Sequence, residues 1–278
     1  MTSLVVPAPA KVNLFLHVTG RRADGYHLLE SLFTLIDVAD SITIARRDDG
    51  VVARIGDVCG VAADHDLTVR AARALQRATG TRFGADVALH KRIPMGAGLG
   101  GGSSDAASVL LALNRLWRLA LPREELQAIA VLLGADVPFF VAGENAIARG
   151  IGDVLAPVTL PSQWLALAFP QVTVATAAIF AAPELTRSTA STKIDVFSEG
   201  YGRNDLADVT ASKHAAVAEA IAALTRASPH ARMTGSGSAV FAPFATEREA
   251  QAALQFLPPH ISGQVTRTLA RHPLAGFA

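Results

Sequence analysis

The segment Pro94-Met95-Gly96-Ala97-Gly98-Leu99-Gly100-Gly101-Gly102-Ser103-Ser104-Asp105 constrains this chain more than any other part of it. Five glycines and two serines run straight into residues 103–117, where Ala106, Val109, Leu110, Leu113, Leu116 and Trp117 recur at three and four residues. That spacing predicts a helix with one buried face. Bare backbone N–H groups in such a turn can approach an anion, and the helix N-terminus adds a partial positive charge. The segment reads as a polyphosphate cradle. A flexible surface loop is the alternative, but a linker does not normally lead into so apolar a helix.

Two better-known phosphate motifs overlap these letters. Gly96, Gly98 and Gly101 match G-x-G-x-x-G, yet Pro94 precedes the loop and residues 114–122 hold no acid where a dinucleotide site would place one. A Walker-type loop needs Lys and then Ser or Thr after its second glycine, and Gly101 is followed by Gly102 and Ser103. A phosphate-neutralising lysine must come from elsewhere.

The rest of the chain reads as mixed helix and strand. Residues 11–18 alternate as a strand, with Val12, Leu14, Leu16 and Val18 on a core face and Lys11, Asn13, Phe15 and His17 on the other. An Asp-Gly turn lies within residues 21–27, followed by an apolar run over 32–38 and a strand over 41–44. The spacing predicts a helix over 67–78, a strand over 86–90 and a helix opened by Pro122 and stopped at Gly134, with Asp136 just beyond. Glycines and prolines in 150–161 mark the boundary between expected domains 1–155 and 156–278. Beyond it come a strand over 164–169, an Ala-rich helix over 211–227 and a turn at 234–238.

Composition narrows the function classes. With 25 Lys+Arg against 24 Asp+Glu, the charge is too balanced for the basic surface that nucleic-acid binding draws on. Half the residues are hydrophobic and 18% are charged, enough apolar surface to bury a core. The opening MTSLVVPAPA has no basic n-region or long apolar run, and residues 126–142 are interrupted by Gln127, Asp136 and Pro138, so neither a secretory signal nor a membrane span is expected. The single cysteine, Cys59, excludes an internal disulfide and fits a reducing cytoplasm. His17, His65, His90, His214, His230, His260 and His272 show no metal-ligand spacing, and no metal site can be read.

Two residues stand out as candidates for chemistry. Lys11 lies on the strand face opposite the core, either as the missing lysine or as a solvated strand residue. Asp136, in Gly134-Ala135-Asp136-Val137-Pro138-Phe139-Phe140, is a carboxylate among apolar neighbours that needs a partner or a purpose, or else a helix-end turn residue. The turn Gly235-Ser236-Gly237 is either an ordinary tight turn or a second backbone wall to a nucleotide site.

Pro9-Ala10-Lys11-Val12-Asn13-Leu14, the glycine segment 94–106 and Gly235-Ser236-Gly237-Ser238 resemble, in order, the three motifs of the GHMP kinases, named for galactokinase, homoserine kinase, mevalonate kinase and phosphomevalonate kinase. Within that family, residues 22–27 and 133–139 resemble the members that phosphorylate the 2-hydroxyl of a cytidine-diphosphate-linked methylerythritol in non-mevalonate isoprenoid synthesis. The resemblance implies an α+β fold in two domains. The N-terminal one would be α/β with a left-handed crossover, and the C-terminal one an antiparallel sheet with helices. It implies ATP along the loop from Pro94 to Ser104, with Mg²⁺, and a small-molecule acceptor taken up by a monomer or weak dimer.

Carried over by residue, Lys11 and Asp136 match the catalytic pair. Lys91, Leu67, Asp66 and Asn114 match positions lining the adenine pocket, while Tyr26, His27 and Phe180 match those around the cytosine, and Asn13 and Thr176 those near the polar substrate. Asp66 stands where an asparagine is usual, and Ala207 where a glutamate is common. Asp136 is then the expected base of a phosphoryl transfer, with Lys11 either ordering Asp136 or stabilising the transferring phosphoryl group.

Overall fold

The computed structural model of the chain describes residues 2–57, 60–191 and 201–278, so Cys59 lies outside the described residues. A long hairpin opens the fold, with β1 (Ser3–Arg21) and β2 (His27–Arg47) paired antiparallel from Ser3↔Ala45 to Arg21↔His27. The runs over 32–38 and 41–44 are therefore one strand. Then come β3 (Val52–Ile55), helix α1 (Leu67–Thr79) and β4 (Gly84–His90), with β3 and β4 parallel across the helix. Helices α2 (Gly101–Leu116), α3 (Arg123–Val131) and α4 (Val137–Ala142) pack on this sheet, and β5 (Ala146–Arg149) and β6 (Val154–Pro157) form a short antiparallel pair, with β5 also against β2.

The expected 155/156 division falls within β6. After it run β7 (Trp164–Phe169), α5 (Thr176–Ala181), α6 (Ala207–Lys213), α7 (Ala215–Thr225), β8 (Arg232–Met233), β9 (Val240–Phe244), α8 (Glu247–Ala253) and β10 (Ser262–Leu269). Strands β10, β7, β9 and β8 are antiparallel neighbours, and the last residues of β10 also pair with Leu35 and Ile36 of β2. One path of strands thus joins both halves. Among the described residues no helix is long and apolar enough to cross a membrane.

Two elements depart from the sequence reading. The helix expected over 211–227 is two helices broken at His214, whose φ of −135° is extended. Alanine-rich propensity favours continuity, but the break lets both Val209 and the Val217, Ala220 and Leu224 face reach one core. Over residues 11–17 strand β1 has no solvated face: Lys11, Asn13, Phe15 and His17 are as buried as their neighbours. Val12 and Leu14 pack in an apolar cluster with Leu165, Leu167 and Phe241, while Leu16 and Val18 join the core beneath the second set of helices. Residues 203–205 cover its edge, with Leu16 N donating to Arg203 O and Asp205 N to Leu16 O.

Candidate active site

The register of β1 slips between Pro9 and Lys11 and again between Asn13 and Phe15. Bulges of this kind re-aim side chains and free backbone groups from the ladder. Here Lys11 N donates to Leu99 O (3.0 Å) and Asn13 N to Thr234 Oγ1 (2.9 Å), so one bulged stretch meets both the glycine loop and the 234–238 turn. The loop and the turn also touch each other, since Ala239 N donates to Ala97 O (3.1 Å). Gly98 has φ +77°, and a Cβ there would sit 2.4 Å from Thr234 O, so only glycine allows this approach.

Lys11 is 4% exposed, with its ammonium donating to Asn13 Oδ1 at 2.6 Å and lying 3.7 Å from Asp136 Oδ2. The ammonium also stands 4.6 Å from the Phe33 ring centre. Asn13 is held in turn, donating from Nδ2 to Ser31 Oγ at 2.8 Å. Asp136 is the residue before α4, its side chain one-third exposed at 33%. Burial removes the solvated reading of Lys11, whereas Asp136 does stand at a helix end, although its side chain caps no amide there.

Three adjoining depressions make one trough. The first, of about 410 Å³, is lined by Leu67, Asp66, Lys91, Met95 and the backbone from Pro94 to Ser103. The second, of about 340 Å³, shares Gly96, Gly98 and Gly100 with it and holds Lys11, Asn13, Asp136, Thr176, Phe180 and Ser236. The third, of about 670 Å³, shares Thr176 and Phe180 with the second and adds Tyr26, His27, Arg21 and Arg187. Volumes of this order suit small-molecule ligands.

Two expected residues stand elsewhere. Ser104 turns its hydroxyl away from the loop to donate to Pro9 O (2.6 Å), because the first turn of α2 packs on β1. Asn114 is three turns further along α2, donating to Leu121 O (3.0 Å) and accepting from Leu121 N (2.9 Å). It braces the end of the helix and does not line the trough. Asp66 lines the first depression, but its carboxylate caps α1 through Thr68 N (2.9 Å) and pairs with Arg54 (3.3 Å).

The sequence reading passed over three acidic or basic residues. Lys91 Nζ lies 2.5 Å from Asp40 and 2.8 Å from Asp105. Asp40 also accepts from the Arg92 and Ile93 amides, at 2.5 and 2.9 Å, which fixes the segment between β4 and the loop. Burial pushes Asp105 up to about 7, against the pull of Lys91, and the nearby Asp40 carboxylate adds to the rise. Burial alone would lower Lys91, but the two carboxylates together raise it. Arg187 is the third, donating from Nε to His27 Nε2 at 3.1 Å. Asp105 was visible at the end of the glycine motif, whereas Arg187 reaches the trough, and Asp40 reaches Lys91 from behind it, only through folding, and neither carried a local signal.

Residues 66–144 match the GHMP kinases N terminal domain and residues 189–260 the GHMP kinases C terminal domain. The 4-diphosphocytidyl-2-C-methyl-D-erythritol kinase of Cupriavidus taiwanensis is 56% identical over 277 residues, covering 98% of this chain and 95% of its own length. That of Thiobacillus denitrificans is 55% identical over 275 residues and covers 99% of each. A crystal structure of 4-(cytidine 5'-diphospho)-2C-methyl-D-erythritol kinase superposes with a TM-score of 0.84 at 34% identity, over 95% of this chain and 99% of that one. With a two-part α+β fold, matches to both family domains and near-complete coverage by such relatives, the chain belongs to the 4-diphosphocytidyl-2-C-methyl-D-erythritol kinases of the GHMP kinase family.

Proposed function

We propose that the chain transfers the γ-phosphoryl group of ATP to the 2-hydroxyl of 4-diphosphocytidyl-2-C-methyl-D-erythritol, giving the 2-phosphate and ADP in non-mevalonate isoprenoid precursor synthesis. The observation that carries this reading is the continuous trough, with Lys11 and Asp136 between a glycine-lined end and an aromatic-lined end. Two large ligands could meet there at one carboxylate.

In this reading ATP lies along Pro94–Ser103 with its base toward Leu67, Asp66 and Lys91. The cytosine sits among Tyr26, His27 and Phe180, and Asn13 and Thr176 face the polyol. Asp136 accepts the hydroxyl proton as the hydroxyl oxygen bonds to the γ-phosphorus and the bond to the β-phosphate oxygen breaks, releasing ADP. Lys11 offsets charge on the transferring group. Asn13, bonded to Lys11 and anchored by Ser31, holds the ammonium in place.

Mg²⁺ would supply further charge neutralisation on the phosphates. Among the described residues no group of three or more His, Cys, Asp or Glu could cage a metal. An ion arriving with the triphosphate would keep most of its water and need only one or two protein oxygens. Ser103 and Asp136 offer hard oxygens along the trough.

Residues 1–155 form the ATP-binding part and residues 156–278 the second, with Leu274 and Phe277 of the latter returning to the first core. Every residue named comes from one chain, which a monomer or weak dimer supplies equally, and the reading carries a cytoplasmic location with it. The test is ATP consumption with the cytidylyl substrate beside homoserine and mevalonate. Turnover confined to the cytidylyl substrate supports the reading, and equal or greater turnover of either alternative overturns it.

A further inference from the structure

Arg187 is fixed by the last turn of α5 and the segment that follows it. Its Nη1 donates to Leu185 O at 3.0 Å, and its Nη2 donates to Phe180 O at 3.0 Å and to Ala182 O at 2.6 Å. With the guanidinium so held, its Nε–H is aimed at His27, whose Nε2 lies 3.1 Å away. Arginine has donors and no acceptor. Nε2 of His27 must therefore be the unprotonated nitrogen, and a neutral ring then carries its proton on Nδ1. Among the described residues Nδ1 has no hydrogen-bond partner, which leaves that N–H for a ligand.

We propose that Arg187 is a positioning residue that holds His27 as its neutral Nδ1–H tautomer, so that the imidazole offers one fixed donor to an acceptor atom on the edge of a pyrimidine. The same guanidinium grips the carbonyl of Phe180, whose ring centre is 5.0 Å from that of His27. One side chain therefore sets the polar reader and the flat wall of the pocket relative to each other. The assignment rests on the reading of this pocket as the cytidine subsite, though the tautomer itself does not.

The charges around His27 act in the same direction. Burial lowers its pKa first, and Arg187 and then Arg21, from the end of β1, lower it further. Asp24 and Tyr26, from the intervening turn, also face the pocket. The Asp24 carboxylate is engaged elsewhere, 2.8 Å from Arg22 and accepting from Tyr26 N at 3.2 Å. A second proton on the ring would face two guanidinium groups.

The tautomer can be read by two-bond ¹H–¹⁵N NMR on the full chain labelled at histidine, without substrate, with His27 assigned through its loss in His27→Ala. The expected result is an unprotonated Nε2 in the parent that persists to below the ordinary histidine range of about 6.5. In Arg187→Met the proton should spread over both nitrogens and the ring should titrate nearer that value, while Arg187→Lys, which keeps a donor, should restore the parental pattern at least in part. Steady-state kinetics should show KM for the cytidylyl substrate raised about tenfold in Arg187→Met, roughly one charge-assisted hydrogen bond, with KM for ATP within twofold.

A parental His27 protonated on Nε2, or a tautomer indifferent to Arg187→Met, overturns the positioning role and leaves the substrate reading intact. A tautomer that shifts while KM for the cytidylyl substrate stays put removes the cytosine from this pocket, and the proposal with it. Should Arg187→Met fail to fold, the parental spectrum and Arg187→Lys decide the matter alone.

Discussion

The Lys11 ammonium stands 3.7 Å from the Asp136 carboxylate, with the lysine buried and the acid at the open side of the trough. The two are thus in electrostatic contact while only the acid is reached freely by an incoming hydroxyl. Asp136→Asn keeps size and shape and removes the proton acceptor. If general-base catalysis has its usual worth, kcat should fall by about 10²–10⁴-fold. Calorimetric titration should find both ligands bound within a few fold of the parent. Single-turnover phosphate transfer near the parental rate would dismiss Asp136 as the base.

Gly101 offers a test of the nucleotide end. A Cβ on it would lie 3.0 Å from Ile93 Cγ2 and 3.2 Å from Lys91 Nζ, so the branched side chain of Gly101→Val crowds the lysine wall of the first depression. Overpacking of this kind costs about 1–3 kcal/mol, which, where it falls on the nucleotide site, is roughly fivefold to 150-fold in Kd for ATP. The variant should fold and bind ATP more weakly. Unchanged ATP affinity in a folded variant would remove this loop from the nucleotide site.

At the opposite end, His27→Ala removes the candidate edge reader and leaves the Arg187 Nε–H without its acceptor. Losing a hydrogen bond in a desolvated pocket is worth about 1–3 kcal/mol. KM for the cytidylyl substrate should rise about tenfold or more, with KM for ATP nearly unmoved. Equal rises in both would mean that the 24–27 turn only supports the fold.

Asp105 predicts a pH dependence of stability. Its folded pKa, near 7 through burial, lies above the unfolded value of about 3.9. Between those values the folded chain binds a proton that the unfolded chain does not. Its contribution to stability is therefore full below about pH 4 and is lost as pH rises through 7. Asp105→Asn deletes this contribution. Denaturant unfolding at pH 5.5 and 8 should show a smaller loss of stability on going up in pH for the variant than for the parent. Identical differences would contradict the raised pKa.

The glycine loop, its helix and the order of the three motifs were legible because each is local: a run of small residues, then a period of three and four. Lys11 was legible as a candidate but not in its surroundings. Alternation along β1 implied one dry face, and burial of the second face comes from Gly100 over Lys11, Thr234 over Asn13 and Tyr201 and Arg203 over His17, all distant in sequence. The same holds for Arg187, which meets His27 across 160 residues of sequence. Ser104 was misread for the opposite reason. Its place in the motif suggested a phosphate contact, and helical geometry rotated it onto the carbonyl of Pro9. Asn114 repeats the lesson at the far end of α2, where a polar side chain serves the loop at Leu121 and no ligand.

Strand β2, 21 residues long, pairs with β1, β4, β5 and β10 and so belongs to both walls of the trough. Spreading those walls apart would mean bending this strand and its bulged partner β1 together, at the expense of ladder hydrogen bonds. The trough consequently behaves as a gauge of set width, and among the described residues these two strands tie the walls together against a clamshell motion of the kind that ligands close in many two-lobed proteins. Small-angle scattering curves recorded with and without ATP and the cytidylyl substrate should then superimpose. Fitting a longer or bulkier acceptor becomes a matter of individual side chains along the rim, and enlarging the acceptor range by mutation should succeed there and fail at the strands.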